Sequence, residues 1–387
     1  MFKIQKLNKI SPQGLSRFPS DLYEHATEIV NPDAILVRSA DMLTMELPQS
    51  LLAIARAGAG VNNIPIDKCS QRGIAVFNTP GANANAVKEL VILGMLLASR
   101  KVYQGITWAK SLAGKRDEVP KMIEKGKSDF TGPEIKGKKL GVIGLGAIGV
   151  MVANDALSLG MDVSGYDPFI SVEAAWGLSR SVKRSISLDY LISDSDYITL
   201  HAPLNDKTKG MLNKDKFALM KKGVKILNFA RGGLVNNADL KEAIKNGIVS
   251  CYVTDFPDDD LVQMENVIPI PHLGASTPES EENCADMAVD QLREYLEKGN
   301  IVNSVNFPDC ALIPSGTKRI IIANKNIPAI IGHITQILAE HKINIADMLN
   351  KSKGEYAYNI IDIDGDIDDK VIEQIKKVKD IVMVRMI

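Results

Sequence analysis

The chain has 387 residues, of which 45% are hydrophobic and 24% are charged, and its net charge is −1. The length predicts about two or three domains, and the balanced charge argues against a nucleic-acid partner and against an acidic disordered chain. The longest apolar stretch, Leu140 to Ala153, is too short to span a membrane, and four cysteines without a CxxC pair argue against a disulfide framework or a metal site.

The N-terminal residues contain no apolar segment of signal-peptide length, so we expect a cytoplasmic protein with a small-molecule ligand. From Ile35 to Phe229, short apolar runs alternate with helical patterns, which is typical of an α/β fold with parallel sheets. The pattern predicts one long helix from Ala84 to about Leu112, then a polar, solvated stretch from Gly114 to Lys139. His25 is placed on an early surface helix.

Three strand-like runs and one helix follow, at Ile248–Asp255, Val267–Ile270, Ile301–Val305 and Pro278–Lys298. Residues 307–317 contain two prolines, a glycine and small polar residues, so they are predicted to be a linker. Residues 318–387 then follow the order strand, helix, strand, strand, helix, strand. This order is the ferredoxin-like βαββαβ pattern.

The strongest local motif is the glycine-rich turn Gly144-Leu-Gly146-Ala-Ile-Gly149, which follows an apolar strand and begins an apolar helix. Asp167 ends the next strand, 167 − 144 = 23 positions after the first glycine, close to the spacing of about 20 in dinucleotide-binding folds. We expect Gly144 to permit the tight turn, Gly146 to admit a pyrophosphate and Gly149 to bring helix and strand together. Asp167 would bind ribose hydroxyls and repel a 2′-phosphate, which predicts NAD rather than NADP. The alternative is a glycine-rich turn without a ligand.

Polar side chains stand at the ends of several predicted strands, where open α/β sheets place their ligands. His201 and His272 each follow an apolar run, and Arg231 is followed by two glycines. The planar guanidinium of an arginine suits a carboxylate. An acidic run, residues 258–260, follows a further strand. Structural histidines, a surface salt bridge and a solvated acidic loop are the alternatives.

Together these segments resemble the D-2-hydroxyacid dehydrogenase family over almost the whole chain. The resemblance rests on the glycine motif with Tyr166-Asp-Pro and on Leu36-Val-Arg-Ser, Arg56-Ala-Gly-Ala-Gly-Val-Asn-Asn, Asn78-Thr-Pro-Gly, Val87-Lys-Glu-Leu, His201-Ala-Pro-Leu, Asn228-Phe-Ala-Arg-Gly-Gly, Pro271-His-Leu-Gly-Ala-Ser-Thr and Val302-Asn-Ser-Val-Asn. The segment from Ile320 to Gly332 resembles the start of an ACT domain. This narrows the resemblance to members that use NAD to interconvert 3-phosphoglycerate and 3-phosphohydroxypyruvate, the first step of serine synthesis.

The resemblance implies two Rossmann-like, doubly wound parallel-sheet domains and a C-terminal ferredoxin-like ACT domain. Residues 1–88 and 272–306 would form the substrate-binding domain, and residues 89–271 the NAD-binding domain. Residues 307–317 would be the linker, and residues 318–387 the ACT domain. The active site would lie in the cleft between the first two domains, and the chain would assemble as a homodimer or homotetramer.

The catalytic set of this family is an arginine, a glutamate and a histidine. By resemblance, Arg231 would hold the substrate carboxylate and polarise the carbonyl. His272 would take the hydroxyl proton as the hydride leaves, and return it in the reverse reaction. The acid would pair with the imidazole and stabilise its protonated form.

The third catalytic position departs from the family, because the run Asp258-Asp259-Asp260 contains no glutamate. Counting from the catalytic arginine points to Asp260, whereas anchoring on Asp255-Phe-Pro points to Asp259. We predict Asp259, whose shorter side chain would need a closer approach to the histidine. Glu265 is a poorer candidate, since it lies next to the following strand.

The remaining site residues follow from the resemblance. Arg38 would bind the substrate phosphate, with a surface arginine as the alternative, and backbone amides would cradle the substrate carboxylate at Gly58, Ala59, Gly60 and Val61. Beyond the three glycines of the motif, cofactor contacts are expected from Ala147, Ile148, Asp167, His201, Pro203, Thr208, Ala230, Asp255 and Gly274.

The C-terminal module carries an effector hypothesis. Asn326 and Asn344 match the asparagines with which such domains bind serine across paired subunits. Ala329 stands where the family has a glycine, and its methyl group would crowd that pocket. Serine regulation and a pure dimerisation module therefore both remain open.

Two other functions are kept as alternatives. One is a dehydrogenase of another 2-hydroxy acid, such as glycerate or 2-hydroxyglutarate. The other is a non-enzymatic, NAD-sensing protein of the corepressor kind, supported only by the missing glutamate. The presence of Arg231 and His272 favours an enzyme.

Overall fold

The computed structural model describes residues 1–387. The chain divides into two compact units: the first combines residues 1–83 with residues 278–387, and the second consists of residues 84–277. The first unit is discontinuous in sequence, because the chain returns to it after completing the second. No helix combines the length and the apolar character that crossing a bilayer requires.

The N-terminal part of the first unit is a parallel five-stranded sheet with the strand order β2-β1-β3-β4-β5. Its elements are β1 (Phe2–Leu7), α1 (Pro12–Leu15), β2 (Tyr23–Ala26), β3 (Ala34–Val37), β4 (Ala53–Arg56), α2 (Ile66–Gln71) and β5 (Ala75–Phe77). β3 is apolar throughout because it is buried on both faces, with Leu36 in one core and Ile35 in another. The helix predicted around His25 is wrong. His25 lies in strand β2, where it pairs with Ile4 of β1 and follows the buried Tyr23 by two positions.

The second unit is a parallel seven-stranded sheet with the order β12-β11-β10-β9-β6-β7-β8. Its elements are α3 (Ala84–Ser99), α4 (Val102–Ser111), α5 (Val119–Gly126), β6 (Lys139–Ile143), α6 (Ala147–Ser158), β7 (Asp162–Tyr166), α7 (Val172–Gly177), β8 (Lys183–Arg184), α8 (Leu188–Asp194), β9 (Tyr197–Leu200), α9 (Lys214–Leu219), β10 (Val224–Asn228), α10 (Asn237–Lys245), β11 (Val249–Thr254), α11 (Asp259–Val262) and β12 (Val267–Pro269). Short 3-10 turns cover Arg116–Glu118, Lys127–Phe130 and Gly232–Leu234. The strand order reverses at β6, which creates a crevice at the carboxyl ends of β6 and β9.

The single helix predicted from Ala84 to Leu112 is instead the pair α3 and α4, which are broken at Arg100 and Lys101. Burial explains the break. α3 places Val91 and Met95 in the core of the second unit, whereas α4 has no buried residue. One helix is therefore packed in the core and the other lies on the surface. The continuous helical pattern of the sequence does not show this difference.

The chain returns to the first unit through α12 (Pro278–Lys298), whose bounds match the prediction. The strand predicted at Ile301–Val305 is absent, because Asn303 adopts a positive φ of 60° and leaves only isolated bridges on either side. The predicted linker is also packed rather than free. Phe307 and Cys310 are each buried in the core that α12 shares with the N-terminal sheet.

The C-terminal residues confirm the ferredoxin-like prediction. They form β13 (Lys318–Lys325), α13 (Ile330–Glu340), β14 (Asn344–Lys353), β15 (Tyr356–Asp364), α14 (Asp369–Lys376) and β16 (Ile381–Met386), in an antiparallel sheet of order β14-β15-β13-β16. One face of this sheet, with Ile320 and Ile361, packs with α13 and α14. The opposite face, with Ile321 and Tyr358, enters the core of α12.

Candidate active site

The glycine-rich turn connects β6 to α6 at the crevice. Gly144 has φ +91°, and a Cβ there would lie 2.7 Å from the carbonyl carbon of His201. At Gly149 a Cβ would lie 2.0 Å from the carbonyl oxygen of Gly144, so helix and turn pack too closely for any side chain. At Gly146 a Cβ would meet nothing within 4 Å. The backbone at the start of α6, including Ala147 and Ile148, therefore faces open space, which suits a phosphate at a helix N-terminus.

Asp167 stands directly after β7, beside this turn. Its Oδ2 accepts a hydrogen bond from the backbone N–H of Leu145 at 2.8 Å, and its Oδ1 accepts one from Phe169 N–H at 2.8 Å. These two amides fix the carboxylate next to the glycine turn. Each oxygen retains a lone pair for a further donor such as a ribose hydroxyl.

His201 follows β9 on the other side of the crevice. Its Nε2 lies 2.9 Å from Thr199 Oγ1, while its Nδ1 is buried without a partner. Burial lowers the pKa of His201 to about 3, so the imidazole is neutral at physiological pH. In the loop beyond it, Thr208 Oγ1 donates to the carbonyl oxygen of Pro203 at 2.5 Å. A neutral ring with one unused buried nitrogen is suited to a bound ligand rather than to proton transfer.

Arg231 is placed by the turn that follows β10. The side chain of Asn228 holds this turn: its Oδ1 accepts from the N–H groups of Ala230 and Arg231, and its Nδ2 donates to the Arg231 carbonyl oxygen at 2.9 Å. The guanidinium donates to the Ala230 carbonyl oxygen at 2.6 Å and lies 6.0 Å from the ring centroid of Phe256. The arginine is exposed and keeps further N–H donors for a carboxylate.

His272 contacts the same aromatic ring. The ring centroids of Phe256 and His272 are 4.5 Å apart. Phe256 thus lies near both His272, the predicted proton-transfer residue, and Arg231, the predicted carboxylate-binding residue. Both side chains remain exposed and available to a substrate.

Asp255 is the buried acid of this region, with 1% of its surface exposed. Its Oδ2 accepts a hydrogen bond from Gly274 N–H at 3.2 Å, and its Oδ1 is buried without a partner. Burial raises the pKa of Asp255, against the lowering influence of the charges on His272 and Arg231 and of the Gly274 N–H. A Cβ at Gly274 would lie 3.0 Å from Asp255 Oδ2, so a side chain there would crowd the carboxylate.

The acidic run does not supply a buried acid. Asp258 caps α11, with Oδ1 accepting from Leu261 N–H at 2.9 Å and Oδ2 accepting from Asn237 Nδ2 at 2.5 Å. Asp259 and Asp260 are exposed in the first turn of α11, and neither carboxylate makes a hydrogen bond or an ion pair. Glu265 is likewise exposed. The predicted catalytic role of Asp259 therefore has no contact with His272 to support it.

The first unit holds the predicted substrate-binding residues at the ends of β3 and β4. Arg38 forms an ion pair with Glu281 of α12 at 2.7 Å. The loop at residues 58–61 is held by Asn78, whose Nδ2 donates to the Ala59 carbonyl oxygen at 2.6 Å, and by Thr79 N–H, which donates to the Gly58 carbonyl oxygen at 3.2 Å. The backbone turn at Gly60 and Val61 continues from this anchored segment.

Sequence reasoning assigned no role to Arg56, which ends β4. Its Nε donates to the Arg38 carbonyl oxygen at 2.9 Å, and a Cβ at Gly58 would lie 2.7 Å from its Nη1. Arg56 therefore joins the end of β3 to the loop at 58–61 and adds a second guanidinium there. The signal was available, because β3 and β4 are neighbouring parallel strands, and Arg38 directly follows β3 while Arg56 ends β4.

The structure does not bring the two effector asparagines together within one chain. Asn326 follows β13 beside Gly354, to whose carbonyl oxygen its Nδ2 donates at 3.3 Å, whereas Asn344 begins β14 and donates to Asp364 Oδ2 at 2.8 Å. These contacts mark opposite ends of β15, roughly 25 Å apart. Ala329 caps α13 with φ 74°, a left-handed conformation in which a methyl group is strained.

The fold and this constellation define a dehydrogenase of the Rossmann class. Residues 92–274 match the family model described as D-isomer specific 2-hydroxyacid dehydrogenase, NAD binding domain. The chain belongs to the D-isomer specific 2-hydroxyacid dehydrogenase family.

Several curated relatives are D-3-phosphoglycerate dehydrogenases. D-3-phosphoglycerate dehydrogenase of Haemophilus influenzae is 31% identical over 373 residues, which are 91% of this chain and 85% of that protein. The enzyme of the same name from Archaeoglobus fulgidus is 37% identical over 291 residues, or 73% of this chain, and the match spans only 53% of its length. The structure of NAD+-bound 3-phosphoglycerate dehydrogenase of Entamoeba histolytica superposes with a TM-score of 0.61 at 25% identity, covering 79% of this chain and 98% of that one.

Proposed function

We propose that the protein is an NAD-dependent dehydrogenase that interconverts 3-phosphoglycerate and 3-phosphohydroxypyruvate. The observation that carries the proposal is the ring of Phe256, whose centroid lies 4.5 Å from that of His272 and 6.0 Å from the guanidinium carbon of Arg231. The named similarity to D-3-phosphoglycerate dehydrogenases supports the choice of substrate. One residue would bind the substrate carboxylate, and the other would carry the proton.

The residues present fit NAD. The open space at Gly146 leaves room for a pyrophosphate at the start of α6, and the acceptor oxygens of Asp167 suit unphosphorylated ribose hydroxyls. The unpartnered buried Nδ1 of His201 and Oδ1 of Asp255 are available to the rest of the cofactor. When bound, the nicotinamide supplies or receives the hydride. All four cysteines are free, which fits the reducing cytoplasm that we propose as the location.

The two arginines beside the loop at 58–61 support a phosphorylated substrate. The Nε of Arg56 donates to the backbone carbonyl oxygen of Arg38, so the two arginine residues form one local cluster after β3 and at the end of β4. Only Glu281 forms an ion pair with Arg38, at an exposed position that a phosphate could compete for. We infer that this cluster distinguishes a phosphorylated acid from glycerate or 2-hydroxyglutarate.

The test is the oxidation of NADH with 3-phosphohydroxypyruvate, beside hydroxypyruvate and 2-oxoglutarate. We expect turnover to be fastest with the phosphorylated acid, and we expect Arg38→Ala to lower kcat/KM for that acid by about tenfold or more. His272→Ala should abolish turnover and preserve NADH binding, measured by fluorescence titration. Turnover of an unphosphorylated acid alone would disprove the substrate assignment. Binding of NADH without any turnover would favour the sensor alternative.

We further propose that serine acts between two copies of the chain, in a homodimer or homotetramer. The separation of Asn326 and Asn344 supports this arrangement, because one chain alone cannot offer both to one small ligand. Ala329 has a left-handed φ, so Ala329→Gly should relieve strain and open the pocket. We expect serine to inhibit this variant at lower concentration than the parent. Neither inhibition nor heat of binding at millimolar serine, in both proteins, would show a dimerisation module only.

A further inference from the structure

Two arginines bring positive charge to the carboxyl edge of the five-stranded sheet, beside the loop at residues 58–61. Arg38 directly follows β3, and Arg56 ends β4 and donates through Nε to the Arg38 carbonyl oxygen at 2.9 Å. Arg56 also borders the loop, since a Cβ at Gly58 would lie 2.7 Å from its Nη1. Two arginines at one edge suit a phosphate monoester better than they suit a single carboxylate.

A carboxylate of the chain already takes up part of this positive charge. Glu281, in the first turn of α12, binds Arg38 Nη2 through its Oε1 at 2.7 Å. Burial raises the pKa of the Cys284 thiol, three positions further along α12, and the charges of Arg38 and Arg56 both oppose that rise. The two arginines and Glu281 therefore share the surroundings of the first turns of this helix. Glu281 thus occupies a guanidinium that a substrate phosphate would need.

The helix that carries Glu281 is held in place, so its carboxylate can leave the guanidinium only by a change of its own side chain. The middle of α12 is packed in the core of the first unit. At the end of α12, two arginines of the C-terminal sheet bind its carbonyl oxygens. Arg319 Nη1 donates to Lys298 at 2.8 Å, and Arg385 Nη2 donates to Tyr295. The ion pair is therefore broken by rotation of a side chain and not by withdrawal of the helix.

The ion pair is open enough to be exchanged. The side chains of Arg38 and Glu281 are 37% and 43% exposed, and solvent screening weakens such a pair. The released carboxylate stays in the first turn of a helix, where the backbone N–H groups favour a negative charge. A phosphate dianion attracts a guanidinium more strongly than a carboxylate does, and it can bind through two oxygens. An arriving phosphate can therefore displace Glu281, at a cost to its own affinity.

We propose that Glu281 is a specificity-determining residue that competes with the substrate phosphate for Arg38. This inference rests on the proposed function, which assigns Arg38 to the phosphate. A phosphorylated acid must break the ion pair before it can use the arginine, and it then lies beside a carboxylate of the same sign. An unphosphorylated acid leaves the ion pair in place. Glu281 therefore limits the preference for the phosphorylated acid and favours its release.

The experiment compares Glu281→Gln with the parent by calorimetric titration of the NADH complex with 3-phosphoglycerate, a pair that cannot react because both are already reduced. We expect the variant to bind 3-phosphoglycerate about two- to fivefold more tightly, because the competing charge is gone. The affinity for glycerate should change much less, since glycerate has no phosphate. In the NADH oxidation assay, KM for 3-phosphohydroxypyruvate should fall by a similar factor. The difference between the proteins should narrow as the salt concentration rises, because counterions screen the carboxylate.

Two control variants locate the origin of the gain. Glu279→Gln removes the same charge from the same helical turn, but Glu279 is exposed and lies outside the ion pair with Arg38. Its affinity for 3-phosphoglycerate should equal that of the parent. Adding Glu281→Gln to Arg38→Ala should bring no gain beyond Arg38→Ala alone, because the competition requires the guanidinium.

Three outcomes of the titrations would overturn the inference. Equal affinity of Glu281→Gln and the parent for 3-phosphoglycerate would show that the ion pair does not compete with the phosphate. Weaker binding by the variant would show that Glu281 positions Arg38 for the phosphate instead. A gain of the same size in Glu279→Gln would assign the effect to the net charge of the helix terminus.

Inorganic phosphate is a second probe, which separates this inference from the proposed function. Its binding is measured as a rise in the thermal unfolding midpoint, without any turnover. If no tested keto acid is reduced, a larger rise in Glu281→Gln than in the parent still supports the competition. Equal rises in the two proteins overturn it, even if 3-phosphohydroxypyruvate is reduced rapidly.

Discussion

Two carboxylates are buried to the same extent in different regions of the molecule, and their surroundings differ completely. Asp362 in β15 and Asp255 after β11 are each 1% exposed. Asp362 accepts from Arg319 Nε at 2.6 Å and Nη2 at 2.9 Å, and also from Ser315 N–H at 3.0 Å. Asp255 accepts only from Gly274 N–H and leaves one oxygen unpartnered.

The contrast separates a structural acid from a functional one. Burial alone would raise the pKa of Asp362, but the hydrogen bonds from Arg319 and Ser315 outweigh it and hold that pKa below its ordinary value. At Asp255 burial prevails, and the pKa is raised. A fully compensated buried charge fixes the packing of its region. An under-compensated one retains the capacity to bind a donor that arrives later.

The largest expected loss of stability comes from breaking the buried ion pair between Arg319 and Asp362. Asp362→Ala would leave the guanidinium of Arg319, whose side chain is 5% exposed, buried without its carboxylate. We expect a loss of about 3–5 kcal/mol in the free energy of unfolding. Urea denaturation followed by circular dichroism at pH 7 measures it.

A neighbouring ion pair provides the matched control. Lys318 pairs with Asp366 at 2.8 Å, but the aspartate side chain is 95% exposed. Asp366→Ala should therefore leave the free energy of unfolding almost unchanged, because solvent screens an exposed pair. If the two variants lost equal stability, burial would not be what distinguishes these pairs. The double variant Arg319→Met with Asp362→Leu should recover most of the loss, because it leaves no unpaired charge.

Local sequence patterns point to candidate residues in one region but not in the other, for a physical reason. Gly144, Arg231 and His272 each sit at a turn after an apolar run, so a short segment contains the whole signal. The Arg319–Asp362 pair joins residues 43 positions apart on adjacent antiparallel strands, and no local pattern marks it.

The same limit explains the errors elsewhere. The strand predicted at residues 301–305 does not form because Asn303 adopts a positive φ. The apolar residues around it gave no sign of this conformation. Arg56 was overlooked because its relevance depends on Arg38, which follows the adjacent strand β3. The predicted linker is packed because Phe307 finds a partner surface in α12 and the C-terminal sheet. Apart from the one at Asn303, these misses depend on residues that are distant in sequence.

A smaller effect on the stability of the protein is expected at Asp255, the buried acid with one unpartnered oxygen. Asp255→Asn should change the free energy of unfolding at pH 7 by less than about 1 kcal/mol, because it removes a charge that the fold compensates only partly. Activity and stability would then separate at this position, whereas at Asp362 the loss of stability dominates. Equal, large losses of stability in Asp255→Asn and Asp362→Ala would show that both acids are structural.

The pH dependence of these two variants should have opposite signs. Asp362 has a lowered folded pKa, so its stabilisation is present above the unfolded value of about 4 and is lost as the pH falls through the folded value. Asp255 has a raised folded pKa, so its ionised form costs stability above that folded value, and the cost disappears below about pH 4. As the pH falls from 7 to 3, the parent should therefore lose its advantage over Asp362→Ala and gain stability relative to Asp255→Asn. Urea midpoints measured across this range decide the matter, because two curves of the same sign would remove the distinction between the two carboxylates.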